Sequence, residues 1–253
     1  MTHQPLNKMI NEPDPSRLIH GLRDTGYDFY TAAADIIDNS VSADANIINI
    51  LIEITSDGRK FVYFGDDGHG MDEDGLHNAM RYGAQIREDL ASLGKFGLGL
   101  KTASSSVCLK YSLISRTNLS SPLYKLTWDL EHVSDVNNWE MVDEPVSVDE
   151  QEVFEELCGN SGTLVVWSRC DRLLSKVYEE PGGTKEQAAI RYIRNKLIEH
   201  CALIFHKYLN PSETGYRTIK IIVNGIEVEY WNPFYPECSE QVLPVKLTVL
   251  PIQ

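Results

Sequence analysis

The sequence has no apolar run approaching the ~18 residues that a membrane-spanning helix needs. Its start, Met1-Thr-His-Gln-Pro-Leu-Asn-Lys8, lacks the apolar core of a secretory signal, so no membrane is expected as a partner. Cysteine is sparse and unpatterned: five residues, at 108, 158, 170, 201 and 238, with no Cys-x-x-Cys pair. Such an odd, scattered set suits buried thiols in a reducing cytoplasm and argues against structural zinc. Basic charge is also short, with 23 Lys and Arg against 37 Asp and Glu, a net charge of -14. Backbone phosphates are held by basic patches, so no direct nucleic-acid binding is evident in this acidic segment. A polyphosphate carried with a divalent cation stays compatible. No internal repeat stands out. What is present is a 253-residue chain, 42% apolar, with room for one large domain or one and a half.

The densest chemistry lies in Leu93-Gly-Lys-Phe-Gly-Leu-Gly-Leu-Lys-Thr-Ala-Ser104. Glycines at 94, 97 and 99 allow positive φ and expose backbone N–H groups, and small helix-compatible residues follow. N–H donors ahead of a helix N-terminus, with Lys101 beside them, suit a phosphate; a flexible glycine loop capping a helix is the alternative. Two familiar motifs fail here. The P-loop needs Gly-Lys-Ser/Thr, but Leu100 separates Gly99 from Lys101, and the dinucleotide fingerprint needs glycine where Thr102 stands. The polar stretch before Gly94 is also no buried strand.

Residues 1–16 are polar, contain three prolines and read as an irregular arm. From Tyr27 to Ala43, Phe29, Ala33, Ile36, Ile37 and Val41 form a helical apolar stripe. Asp35 and Asn39, four apart on the other face, could hold a metal ion and orient a water, or could simply be solvated. Ile48, Ile50, Ile52 and Ile54 alternate as a strand, and Ser56-Asp-Gly-Arg59 turns it into a second strand at Phe61–Phe64. That antiparallel hairpin counts against a doubly wound parallel sheet. It leads into Gly65-Asp-Asp-Gly-His-Gly-Met71, where Asp67 at a strand end could accept from an exocyclic amine and His69 reads as exposed.

Asp72 is an expected N-cap for a helix through Met80. Residues 83–98, without periodicity, read as a mobile lid. A helix is expected through Ser104–Val107, then strands near 109–115 and 124–128, an acidic surface excursion over 129–160 and a buried strand over Gly162–Trp167. Lys185–Tyr208 carries the longest helical pattern. Asn224-Gly225 marks a hairpin, and Leu243–Pro251 reads as a strand running to the end of the chain, as in a fragment.

In this order, the Asp35/Asn39 helix, the hairpin into Asp67–Met71, the lid with Gly94–Lys101, and Gly162-Thr163 resemble the ATP-binding domain of the GHKL superfamily. That group includes type II topoisomerase ATPase subunits, the heat-shock chaperone, MutL-type repair proteins, histidine kinases and MORC proteins; the MORC-like and chaperone-like branch is the most similar. The resemblance covers roughly residues 17–170. It implies a two-layer α/β sandwich, a mixed and mostly antiparallel sheet with helices on one face. It further implies ATP as substrate, Mg²⁺ on Asn39, adenine on Asp67 supported by Thr163, and Gly70 and Met71 near the base. Gly94, Lys95, Phe96, Gly97, Leu98, Gly99 and Leu100 would close over the phosphates, with Lys101 neutralising them. Residues 1–16 are then the arm, 17–209 the ATP-binding domain and 210–253 the start of a transducer-like domain.

One departure concerns catalysis. In hydrolytic members the general base is a glutamate four residues before the asparagine; here Asp35 stands there. Its side chain withdraws the oxygen by about 1–1.5 Å, a misplacement that can cost about 10²-fold in rate. The implied function is a slow Mg²⁺-dependent ATPase in which ATP closes a lid and favours a homodimer, within a larger protein or beside a protein partner, in DNA transactions or bacterial defence. An ATP sensor without productive hydrolysis is the second reading. Histidine-kinase-like phosphotransfer ranks third, since only a short arm precedes residue 17.

Overall fold

The computed structural model describes residues 13–24, 26–83, 98–234 and 238. Asp14 caps α1 (Pro15–Arg23) by accepting from Arg17 N, with Pro15 at the first helical position. Pro15 and Ser16 therefore open a helix; Asp followed by Pro is itself a helix-start signal. Asp28 caps α2 (Phe29–Ser42), whose buried stripe is Phe29, Ala32, Ala33, Ile36, Ile37 and Ser40. β1 (Ile47–Ile54) and β2 (Lys60–Asp66) form the expected hairpin, pairing Ile50 with Phe64. α3 (Glu73–Met80) starts at Asp72, as expected.

After α4 (Gly99–Val107) come β3 (Lys110–Arg116) and β4 (Tyr124–Asp129), an antiparallel pair. The stretch read as a surface excursion holds two helices, α5 (Leu130–Val136) and α6 (Val148–Leu157). α6 opens with a Ser147/Glu150 capping box. Acidic composition hid them, because their few apolar residues (Leu130, Val133, Phe154) are the ones buried. β5 (Gly162–Ser168) follows, then α7 (Thr184–Ile204), broken at Phe205 before α8 (His206–Leu209), and last β6 (Lys220–Val223) and β7 (Ile226–Glu227).

The seven strands form one sheet in the order β4-β3-β5-β2-β1-β6-β7, antiparallel except for β1 with β6. The parallel contact is made possible by α7, which crosses over the sheet and packs on both β1 and β6. β6 and β7 thus extend this sheet past the expected boundary at 210. The main core lies between one sheet face and every helix but α6; Phe64 meets Trp167 edge to face at 4.7 Å there. α6 covers part of the other face, Phe154 packing with Ile114, Leu164 and Val166. Leu243–Pro251 lies outside the described residues.

Candidate functional site

Strand alternation puts Val62, Phe64 and Asp66 of β2 on the face toward α2. Asp66 is the last residue of the strand and is paired with Thr163 of β5, which is in turn paired with Ser115 of β3. A polar row, Asp66–Thr163–Ser115, therefore crosses three adjacent strands at one end of the sheet, and all three residues are buried. Asp66 accepts from the Ser40 hydroxyl of α2 at 2.9 Å and from Gly68 N at 3.0 Å. Burial pushes its carboxyl above the usual range, while the Gly68 and Ser40 donors pull the other way. The backbone N–H of Thr163 pulls in the same direction as those donors. Ser115 Oγ accepts from Met71 N at 2.8 Å, reaches Gly162 O at 2.7 Å and lies 3.0 Å from Thr163 Oγ1. One hydroxyl thus ties the Gly70–Met71 turn to the start of β5.

Asp67, the acceptor expected from sequence, is engaged by the backbone. Its Oδ1 takes the N–H groups of Asn46 and Ile47 at 2.6 and 2.8 Å, pinning the turn between α2 and β1. The period of two aims Asp66 inward and Asp67 away. His69 is exposed, as expected. Gly70 sits at φ +64°, and a Cβ at this position would lie only 1.9 Å from Arg116 O, so no other residue fits without moving β3.

On α2, Ser40 is the buried link to Asp66 and Asn39 beside it is exposed, with no side-chain hydrogen bond among the described residues. One turn earlier, Asp35 accepts from the Tyr27 hydroxyl at 2.8 Å. Five residues separate Asp35 from Ser40, about 7.5 Å of helix. Further along the helix, a Cβ on Gly99 would lie 3.6 Å from Asp35 Oδ2. Asp38, between them, has its carboxyl raised to about 6, first by burial and then by the nearby Asp35 charge. The first turn of α4 accordingly faces Asp35.

Lys101, expected at the phosphates, is also engaged within the fold. Its side chain is buried and Nζ donates to Ala79 O at 2.8 Å, at the C-terminal end of α3. The adjacent Met80 O receives Trp128 Nε1 at 2.9 Å. These two donors satisfy carbonyls that the end of α3 leaves unpaired, and an ammonium suits the negative end of a helix. Burial lowers the lysine to about 8. In this geometry Lys101 is a strut between α3 and α4 and does not reach the face of Asp35 and Asn39. Leu98 O anchors the first turn of α4 through Thr102 N, and Leu100 packs on the core. Gly94, Lys95, Phe96 and Gly97 lie outside the described residues.

Of the residues expected from sequence, Gly70, Met71 and Thr163 stand around Ser115, Gly99 lies beside Asp35, and Asn39 is one turn along α2, while Asp67 and Lys101 have partners elsewhere. The structure adds Asp66, Ser40, Ser115 and Tyr27. Extending the β2 alternation by two residues would have found Asp66; for Tyr27, in the turn before α2, no sequence signal exists.

A profile described as histidine kinase-, DNA gyrase B- and HSP90-like ATPase matches residues 27–163, more than half the chain and the span holding every site residue named above. Protein MICRORCHIDIA 3 of Arabidopsis thaliana is 35% identical over 77 residues, 29% of this chain and 13% of that protein. ATPase MORC2B of Mus musculus is 31% identical over 91 residues, 34% of this chain and 9% of that protein. The matched stretches thus span a small part of either relative. With a profile match of that extent over the site-bearing core, the chain belongs to the histidine kinase-, DNA gyrase B- and HSP90-like ATPase family.

Proposed function

We propose that this chain binds ATP with Mg²⁺ and hydrolyses it slowly, the nucleotide acting as a switch of conformation and of dimerisation. The observation that carries the reading is the polar row Asp66–Thr163–Ser115, joined through Ser40 to the helix that carries Asp35 and Asn39. Asp66, in place of Asp67, accepts from the exocyclic amine of the base, with Thr163 beside it and Gly70 and Met71 lining the approach. The exposed carboxamide of Asn39 is a hard oxygen donor of the kind Mg²⁺ takes alongside nucleotide phosphates. When bound, the ion neutralises phosphate charge. Asp35, with Oδ2 held by Tyr27, has Oδ1 left to orient a water and take its proton. The ATPase named among the relatives supports the same chemistry. Dimerisation, a protein partner or downstream effector, and a role in DNA transactions or defence rest on family resemblance.

A second reading, ATP binding without turnover, is favoured by the shortness of Asp35. Calorimetric Mg-ATP titration and phosphate release, on the native protein, Asp66→Asn and Asp35→Ala, decide between them. Binding lost in Asp66→Asn, with turnover alone lost in Asp35→Ala, supports the ATPase. Binding without turnover in the native protein selects the sensor. A native protein that neither binds nor is stabilised by Mg-ATP refutes both, because a ligand of the folded state at a hundred times its Kd adds about 2.7 kcal/mol.

A further inference from the structure

We propose that Tyr27 is a positioning residue: its hydroxyl holds the short carboxylate of Asp35 in place beside the first turn of α4. This rests on Asp35 being the base. Tyr27 lies just before the N-cap of α2, eight residues from Asp35, and donates to Oδ2 at 2.8 Å. The Thr102 side chain faces the same hydroxyl, and Thr102 Oγ1 is itself bonded to Leu98 O and Gly99 O. The start of α4 also approaches the carboxylate directly, since a Cβ on Gly99 would lie 3.6 Å from Asp35 Oδ2. The opposite side of Tyr27 borders an open groove of about 740 Å³ lined also by Tyr30, Arg172, Tyr178 and Tyr192. Packing alone does not enclose the ring, so the hydroxyl bond is what fixes its tip. One carboxylate oxygen is engaged and the other is left for water, which offsets the freedom that a shortened acid would otherwise have.

Charged and titratable groups surround this pair from several elements: Arg23, Asp24, Asp28, Arg172, Lys176 and Tyr192 share the groove with Tyr27. Asp38 approaches from the same helix, Thr102 from α4, and Lys101 of α4 is turned to Ala79. Lys196, Glu199 and His200 of α7 stand beside Tyr30.

Tyr27→Phe keeps the ring and removes only the donor. Expected is a fall in kcat of roughly 10- to 100-fold, with KM for ATP and Tm unchanged. In Asp35→Asn the Tyr27→Phe change adds nothing. Native kcat in Tyr27→Phe, or a kcat loss tracking a loss of Tm, overturns the proposal. Full turnover in Asp35→Asn overturns the base reading itself and the positioning role with it. A ¹³Cζ-tyrosine NMR titration reads the contact without turnover: the Tyr27 phenol titrates above its ordinary 10.0 and falls back in Asp35→Asn. No such change would mean that the hydroxyl does not sit on Asp35.

Discussion

Replacing Lys101 by methionine separates a phosphate ligand from a structural strut. Burial lowers the ammonium from its ordinary 10.5 to about 8, a difference worth about 3 kcal/mol. The folded protein carries that penalty in full below pH 8, where Lys101 is charged in both states. Between about pH 8 and 10.5 the native lysine has given up its proton and the unfolded one has not, so stability rises with pH. Methionine of similar length removes the penalty but leaves Ala79 O without its donor, at about 1–3 kcal/mol. The two nearly cancel. Lys101→Met is expected within about 2 kcal/mol of the native protein at pH 7, on the stabilising side, and without the native rise above pH 8. Urea unfolding at pH 7 and pH 9.5 measures both, and calorimetry with Mg-ATP is expected to give native affinity. A variant that stays folded, keeps the native pH profile and loses Mg-ATP affinity would refute the strut and return Lys101 to the phosphates.

Asp67→Ala, which removes the acceptor for two backbone N–H groups, is expected to lower stability by about 1–3 kcal/mol in chemical denaturation with nucleotide affinity retained. Gly70→Ala places a methyl 1.9 Å from Arg116 O at φ +64°; a loss of more than about 2 kcal/mol and of nucleotide binding is expected by thermal melting and titration. Asp38, raised to about 6 from 3.8, binds its proton more tightly folded than unfolded, so stability falls as pH rises through that window. Asp38→Asn is then expected to stabilise at pH 7 by less than about 2 kcal/mol, solvent screening part of the effect, and to flatten the pH dependence between 4 and 6. Cys108, Cys158, Cys170 and Cys201 are buried and Cys238 is exposed, so thiol reagent on the native protein is expected to label Cys238 rapidly and the other four only on unfolding.

Much of the fold was legible because local rules decide it. The apolar stripe of α2, the isoleucine alternation of β1, the Asp57-Gly58 turn and the Asp72 cap each act over a few residues, and each sits where its pattern predicts. α5 and α6 escaped because helices with one or two buried side chains carry little periodicity. α1 escaped although the Asp14-Pro15 signal was present.

The sequence by itself determined which chemistry is available: acids and an asparagine one turn apart on α2, a glycine-aspartate turn after a hairpin, a glycine-rich approach to α4. Tertiary structure decided which of those groups work together. Asp66 and Asp67 are adjacent and chemically identical, and only the pairing of β2 with β5 turns one toward Thr163 and Ser40 while the other binds Asn46 and Ile47. Lys101 is one residue-type match among several until the end of α3 arrives to claim its ammonium. Tyr27 meets Asp35 only because the turn before α2 folds back along the helix. Backbone periodicity is a property of neighbours along the chain, whereas the partner of a polar side chain is set by whatever element the whole fold brings against it.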